Sequence, residues 1–312
     1  TPATFINTLL VLRAPLRSML AARASSARGS VFGGRRAPRR AGGHSRALAA
    51  MGLNDLLKMM MADKLSLVDP AQALPGRDAV MQVSPKHFVN GNAMQAPWPQ
   101  GMEVVTMGTG CFWGSEKSFW RMPGVYSTAV GYAGGYTNNP TYEEVCSGQT
   151  GHTEAVQIVY DPTVVSMADL LRTFWTSHDP TAGMGQGNDM GTQYRSAIYP
   201  TTKEQLKQVE ASKAAYEKAL ADAGRNKITT EISLPEDKPM HFYYAEDYHQ
   251  QYLAKPGSRP YCSAAPTGVD CPMDWATGAD APKLPDKYWE KHAPRPGCTI
   301  GFPNEPIKLE EL

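Results

Sequence analysis

The stretch that most constrains the fold sets one cysteine between a glycine and two aromatic residues, Gly110-Cys111-Phe112-Trp113-Gly114. An apolar, strand-like run precedes it and a helix-like segment follows, which predicts a strand-to-helix junction at Cys111. The first N–H groups of a helix have no partner within the helix and attract negative charge, so a thiolate forms more easily there. Phe112 and Trp113 supply an apolar wall. We therefore predict a nucleophilic sulfur in a site for a small, partly apolar group; the alternative is a buried structural cysteine.

The helix terminus alone is too weak to ionise this thiol. A free cysteine has a pKa of about 8.5, so only roughly 3% of it is thiolate at pH 7. A helix N-terminus contributes roughly 0.3–1 kcal/mol, which is less than the roughly 1.36 kcal/mol of one pKa unit. We expect hydrogen bonds or a bound substrate to contribute the rest.

Strand and helix signals alternate over residues 103–273. Strands are predicted over the runs 104–108, 125–133 and 154–160. Two helices are predicted to begin at capping pairs, Ser166 with Asp169 and Thr201 with Glu204. This mixture predicts an α+β fold, a two-layer sandwich with a ferredoxin-like mixed sheet as its core. Long irregular segments are expected at both ends, and strand order stays open.

The chain divides into four regions by composition. Residues 1–54 contain nine arginines and no Asp, Glu or Lys, which is typical of an organelle transit peptide; a disordered basic tail or read-through sequence is the alternative. Residues 55–102 are expected to wrap the core, 103–273 to form the catalytic domain, and 274–312 to form a tail. We expect a mitochondrial location, or a plastid, or the cytoplasm if translation starts at Met51.

Balanced charge argues against two classes of partner. The chain has 31 basic and 30 acidic residues, so nothing in bulk favours nucleic acid or an anionic membrane. The longest apolar runs fall short of the roughly 20 residues that span a bilayer. An odd count of cysteines, 5 in a long chain, argues against a structural disulfide framework.

Four further residues are candidates for the same site: Tyr142, Glu154, Asp189 and Tyr194. Glu154 lies in an apolar run, and a buried carboxyl keeps its proton because its charged form is poorly solvated. A protonated Glu beside a cysteine is a ready general acid. The alternatives are an exposed strand position for Glu154 and ordinary core packing for the two tyrosines.

Cys262 and Cys271 lie nine residues apart in a segment punctuated by proline and glycine. Such a segment can bring two thiols within disulfide reach. The alternatives are two unrelated surface cysteines, or a zinc site with His241 and His249, although the spacing is unlike that of a zinc finger. The sequence does not indicate a function for Cys146 or Cys298.

Taken together, these residues resemble the A-type peptide methionine sulfoxide reductase family. The resemblance covers about residues 103–273 and rests on GCFWG at 110–114, GVYSTAVGYAGGYT at 124–137, NPTYEEVCSG at 139–148, TGHTEAV at 150–156, QGND.GTQYRSAIYP at 186–200 and YYAEDYHQQYL at 243–253. The YC…GV.CP pattern at 261–272 is similar to the family's recycling cysteines.

The resemblance implies a reaction and a role for each residue. Methionine-S-sulfoxide, free or in proteins, would be reduced to methionine, which repairs oxidised proteins. Cys111 would attack the sulfoxide sulfur, and Glu154 would donate a proton to its oxygen. The implied supporting roles are hydrogen bonds from Tyr142 and Tyr194, a methyl pocket of Phe112 and Trp113, and substrate orientation by Asp189.

Recycling is implied in the same way. Cys111 becomes a sulfenic acid, Cys262 condenses with it, Cys271 exchanges with Cys262, and thioredoxin reduces that pair. The resemblance implies no cofactor and no metal, with thioredoxin as the external reductant, and we expect a monomer. Two rival functions stay open, a thiol peroxidase and a sulfoxide-binding module without turnover; a cysteine hydrolase is disfavoured because no histidine is evidently paired with Cys111.

This chain departs from the family pattern at three places. Met190 replaces a histidine, Gly185 replaces an arginine, and Ser263-Ala264-Ala265-Pro266 replaces a glycine-rich stretch. The last change puts the flexibility of the recycling loop in question.

Overall fold

The computed structural model describes residues 64–236, 241–294 and 301–312. The predicted transit peptide, Met51 and Cys298 lie outside these ranges. Within them, every helix is too short or too polar to cross a membrane.

Six strands form one mixed sheet, as the sequence predicts. They are β1 (Glu103–Thr109), β2 (Val125–Ala133), β3 (Thr153–Tyr160), β6 (Ser196–Pro200), β7 (Glu231–Ile232) and β8 (Tyr243–Tyr244). The order across the sheet is β7-β6-β1-β3-β2-β8. All pairings are antiparallel except that of β6 with β7. A separate hairpin pairs β4 (Gly185–Gln186) with β5 (Asp189–Met190).

Five α-helices accompany the sheet in the described ranges: α1 (Phe112–Trp120), α2 (Tyr142–Cys146), α3 (Met167–Ser177), α4 (Lys203–Asp222) and α5 (Asp286–His292). Apolar side chains of α1, α3 and α4 share one buried cluster with inward residues of the central strands, such as Val130, Val156 and Ile198. The helices therefore form the second layer over one face of the sheet. On the opposite face a smaller cluster contains Ala155 and Tyr199.

Helix boundaries follow the capping chemistry, with two corrections. Ser166 and Asp169 form the predicted capping box of α3. The long helix α4 is instead capped by Thr202, whose side chain accepts from Gln205 N, one residue later than predicted. The sequence predicts the helix after Cys111 over residues 115–121, whereas α1 begins three residues earlier, at Phe112, whose side chain is buried in the core.

The described part of the C-terminal region contains α5, and residues 301–312 pack along α1. The ammonium of Lys117 donates to Phe302 O at 2.7 Å and to Asn304 Oδ1 at 2.8 Å, and the indole of Trp120 donates to Asn304 O at 2.9 Å. This segment therefore braces the helix that begins at Cys111.

Candidate active site

Cys111 is the N-cap residue of α1, at the end of β1. Gly110 makes the turn between them with φ of +96°, and a side chain there would lie 2.7 Å from Cβ of Gln186. Glycine is required for both reasons. The sulfur is thereby held at the predicted strand-to-helix junction, in a partly exposed position.

The thiol of Cys111 is harder to ionise than the helix terminus alone suggests. Burial raises its pKa well above the ordinary value, and the charges of Glu154 and Asp189 add to the rise. Hydrogen bonds from the backbone N–H groups of Trp113 and Gly114 act in the opposite direction and do not outweigh them. Cys111 is therefore a protonated thiol in the substrate-free site, because desolvation exceeds what the helix terminus contributes.

Glu154 lies on β3 directly beside the start of α1. Its Oε2 accepts a hydrogen bond from the backbone N–H of Phe112 at 2.9 Å, and the residue is 1% exposed. Burial raises the pKa of its carboxyl to about 8, although the Phe112 hydrogen bond opposes the rise. The apolar run around Glu154 predicts this burial. The carboxyl is protonated at neutral pH, next to the cysteine, and is able to act as an acid.

Tyr142 and Tyr194 both lie close enough to Glu154 for its charge to affect the pKa of their phenols. Tyr142 opens α2 and Tyr194 closes a short 3-10 turn before β6. Burial raises the pKa of each phenol, and the charge of Glu154 raises both further. The thiol of Cys146, one turn along α2, is a hydrogen-bond partner of Tyr142. Both phenols are therefore neutral hydroxyls that can donate hydrogen bonds.

A cluster of aromatic side chains, called here the aromatic group, surrounds Phe112 and Trp113; it consists of Tyr132, His249 and Tyr252. The ring of Trp113 stacks on Tyr252 with centroids 4.0 Å apart, and its Nε1–H donates to Nδ1 of His249 at 3.1 Å. Phe112 is buried, with its ring 5.2 Å from His249 and 6.0 Å from Tyr132. Both predicted wall residues are therefore held by neighbours from distant segments.

His249 is a site component that the sequence offered only as a zinc ligand. It is 2% exposed, and burial lowers its pKa to about 4. Its Nδ1 accepts from Trp113, so the proton of the neutral ring is on Nε2, which lies 4.0 Å from Glu246 Oε2. Glu246 also accepts from Tyr132 Oη at 2.8 Å and from the backbone N–H of Tyr142 at 2.9 Å. One carboxylate thus connects α2 to the aromatic group. The YYAEDYHQQYL motif contains both residues and was the available signal.

Asp189 lies on β5, and the recycling loop covers it. Its Oδ1 accepts from Tyr261 Oη at 2.5 Å, and its Oδ2 accepts from Ser263 Oγ. The ring of Tyr261 is also 6.4 Å from that of Trp113. The two residues that flank Cys262 therefore dock at the edge of the site.

The four cysteines in the described ranges are in different states. Cys111, Cys146 and Cys271 are free thiols, whereas Cys262 is disulfide-bonded. The pairing of Cys262 with Cys271 is thus not formed here. Cys271 is buried, and burial raises the pKa of its thiol to about 12.

The described ranges contain no zinc site of the kind that the sequence left open as an alternative. No group of three or more His, Cys, Asp and Glu side chains there is arranged to hold a metal ion. His249 instead has the aromatic partners described above.

The comparisons with known proteins point to one family. Residues 103–271 match the family model for peptide methionine sulfoxide reductase. The chain is 57% identical over 223 residues to peptide methionine sulfoxide reductase MsrA 1 of Synechocystis sp., covering 72% of this chain and 96% of the relative. It is 56% identical over 212 residues to MsrA of Salinispora arenicola, covering 67% and 94%.

A solved structure agrees with this match. Methionine sulfoxide reductase A of Corynebacterium diphtheriae aligns with a TM-score of 0.59 at 45% identity, covering 66% of this chain and 98% of that chain. Sequence, fold and the cysteine-centred site lead to the same conclusion. The chain belongs to the peptide methionine sulfoxide reductase family, in the group whose members are named MsrA.

Proposed function

We propose that Cys111 reduces methionine-S-sulfoxide, free and in proteins, with Glu154 as the proton donor. The observation that carries this assignment is the Glu154 carboxyl. It is buried, its pKa is raised to about 8, and it hydrogen-bonds to the backbone N–H of Phe112 at 2.9 Å. A sulfoxide oxygen leaves readily only when protonated, and a protonated acid beside a sulfur nucleophile meets that need.

The first step exchanges one oxygen atom between two sulfurs. Sγ of Cys111 attacks the sulfoxide sulfur and forms an S–S bond while the oxygen takes a proton from Glu154. The hydroxyl group then moves from the methionine sulfur to Sγ of Cys111 as the S–O bond to methionine and the new S–S bond break, so methionine leaves and Cys111 becomes a sulfenic acid. The thiol proton of Cys111 returns to Glu154, so no proton is consumed overall. Tyr142 and Tyr194, both neutral donors, stabilise the oxygen while charge develops on it.

Phe112 and Trp113 select the substrate by enclosing its methyl group. Burying an apolar methyl contributes about 0.8 kcal/mol, and the fixed orientation of the two rings distinguishes one sulfoxide epimer from the other. Asp189 orients the substrate by accepting a hydrogen bond from the substrate's backbone N–H.

Recycling uses the C-terminal thiols and an external reductant. Cys262 condenses with the sulfenic acid, which releases water and forms a disulfide; Cys271 exchanges with Cys262, and thioredoxin reduces that disulfide. The thiol of Cys271 is buried, with a pKa raised to about 12. Its exchange step therefore requires the loop to move, so that the thiol is exposed and ionised.

We also propose that residues 1–54 direct the chain to mitochondria. Nine arginines without any acidic residue support this. A fusion of residues 1–54 to a fluorescent protein tests it by microscopy, with an Arg-to-Ala version as control; a cytoplasmic or plastid signal contradicts the mitochondrial assignment.

The decisive assay for the reaction is epimer-resolved. Dabsyl-methionine sulfoxide of each epimer is incubated with the enzyme and dithiothreitol, and then with thioredoxin. We expect turnover of the S epimer only. Cys111→Ser should abolish it, whereas Cys146→Ser, which changes the other partly exposed thiol, should retain it. Hydrogen peroxide as an alternative oxidant tests the peroxidase rival. Turnover by Cys111→Ser refutes the assignment.

A further inference from the structure

The segment after Tyr252 returns to the active site and binds the hairpin formed by β4 and β5. Its two most specific contacts converge on one side chain, since both carboxylate oxygens of Asp189 accept hydroxyl hydrogen bonds, one from Tyr261 and one from Ser263. Cys262, the residue between the two donors, is disulfide-bonded in this structure, so its thiol becomes available only after that disulfide is reduced. The hydroxyl pair therefore fixes the backbone on both sides of the resolving cysteine.

Further contacts make this docking specific. The N–H of Ala265 donates to Gln186 Oε1 at 3.1 Å. Gly187, with φ of +57°, lies so close to Ser263 that any side chain there would collide with the Ser263 carbonyl. The same Gln186 packs beneath Gly110, the residue before the nucleophile. The hairpin thus joins the loop to the backbone of the catalytic turn.

The docked loop also lies near the nucleophile. The hydrogen bond to Asp189 and burial raise the pKa of Tyr261 to about 12, and the nearby Cys111, when it is ionised, contributes to that rise. The ring of Tyr261 meets the edge of Trp113. A loop docked in this way covers the rim of the pocket that would hold the substrate.

We propose that Tyr261 and Ser263 are positioning residues that present Cys262 to Cys111 and that compete with substrate for Asp189. This rests on the proposed function, in which Asp189 accepts the backbone N–H of the substrate. Substrate entry displaces the hydroxyls. When methionine leaves, Asp189 becomes available again and the loop docks. Sγ of Cys262 then attacks Sγ of the Cys111 sulfenic acid, the S–O bond breaks, and the oxygen leaves as water with the thiol proton of Cys262.

Ser263 allows a direct test, because Ser263→Gly removes only the hydroxyl group and its carbon. Fully reduced, full-length enzyme receives one equivalent of N-acetyl-methionine-S-sulfoxide methylamide in a quench-flow instrument. Dimedone traps the remaining sulfenic acid, and intact mass spectrometry counts it. Loss of one hydrogen bond to a charged group should slow sulfenic acid decay on the order of tenfold in Ser263→Gly and in Tyr261→Phe. Ser263→Thr, which keeps the hydroxyl, should behave as wild type.

Competition for Asp189 gives a second, independent readout. With dithiothreitol as reductant, Ser263→Gly should lower the KM for the methylamide substrate several-fold. The KM for dimethyl sulfoxide, which has no backbone N–H, should stay unchanged. In an Asp189→Ala background, Ser263→Gly should have no further effect on either quantity.

Unchanged sulfenic acid decay together with unchanged KM in Ser263→Gly and Tyr261→Phe overturns this proposal. That result differs from failure of the proposed function. If the function is wrong, the wild-type enzyme itself releases no thioether and forms no sulfenic acid.

Discussion

The indole Nε1–H of Trp113 donates to Nδ1 of His249 across 136 residues of chain, at 3.1 Å. This hydrogen bond sets the rotation of the indole, and stacking on Tyr252 sets its tilt. Because Nδ1 must be an acceptor, the low pKa of His249, about 4, keeps the contact intact throughout the neutral range. His249 thereby acts on the methyl pocket through Trp113.

Replacing His249 should therefore impair substrate binding more than chemistry. His249→Phe keeps the ring and removes the acceptor, so we expect KM to rise about three- to tenfold, the effect of one neutral hydrogen bond, with kcat changed less. His249→Asn places an amide oxygen near the former Nδ1 and should restore much of the KM. In a Trp113→Phe background the His249→Phe change should have no added effect on KM; an equal rise there would contradict the role of the hydrogen bond.

Glu154→Gln should slow the first step by about 10²–10⁴-fold below pH 8. The general acid acts in its protonated form, and its pKa is raised to about 8. The wild-type rate contributed by this acid is therefore lost as pH rises through 8, and the ratio of wild-type to variant rate should shrink above that pH. Single-turnover release of methionine between pH 6 and 10 measures it. Glu143→Gln, an exposed change on α2, is the control. A pH-independent ratio would argue against proton donation.

The same carboxyl predicts a stability effect of defined sign. Its pKa is about 8 in the fold, against an ordinary value of 4.5. The unfolded chain thus loses this proton first, and wild-type stability falls as pH rises from about 4.5 to 8. Glu154→Gln removes that contribution, so the variant should gain stability relative to wild type between pH 5 and pH 9. Urea unfolding at the two pH values tests this; an equal difference at both would count against a buried, protonated Glu154.

The second recycling thiol is identified by comparing two variants. If Cys271 exchanges with Cys262, Cys271→Ser should release one equivalent of methionine at the wild-type rate but lose most thioredoxin-linked turnover. Cys298→Ser should then cycle as wild type. The reverse outcome, loss in Cys298→Ser and normal cycling in Cys271→Ser, would assign the exchange to Cys298. NADPH consumption in a coupled thioredoxin assay reports both.

Asn304→Ala should destabilise the fold, because the segment braces α1 through a buried cation. Lys117 is 4% exposed, and its ammonium donates to Asn304 Oδ1 and Phe302 O. A hydrogen bond to a charged group contributes about 1.5–3 kcal/mol, so we expect Tm to fall by roughly 3–12 °C. Lys308→Ala removes an exposed ion pair with Glu311 and should change Tm little. Equal Tm values for wild type and Asn304→Ala would refute the brace.

Local patterns predicted the elements well where one short segment determines the outcome. The Ser166–Asp169 capping box begins α3 because both partners lie within one helical turn. The apolar run predicts the burial of Glu154, since alternate residues of a central strand face packed layers. The sequence predicts the cap of α4 at Thr201, one residue too early, because Thr201 and Thr202 are adjacent residues of the same type and either is a favourable N-cap.

The ionisation state of the Cys111 thiol could not be predicted from the sequence. A helix N-terminus beside Cys111 favours a thiolate, yet the pKa of that thiol is raised, because burial and the neighbouring carboxyls outweigh two backbone hydrogen bonds. Burial depends on what covers the sulfur, and the covering residues come from other parts of the chain.

The amino-acid sequence by itself determined the strand-to-helix junction at Cys111, the α+β class and the family, because each depends on residues close together in the chain or on a motif. Only the tertiary structure decided that His249 holds Trp113, that Tyr261 and Ser263 bind Asp189, and that residues 301–312 brace α1. These contacts join residues 72 or more positions apart. Spacing carries no information about such pairs, because the packing of the sheet and helices sets which distant segments meet.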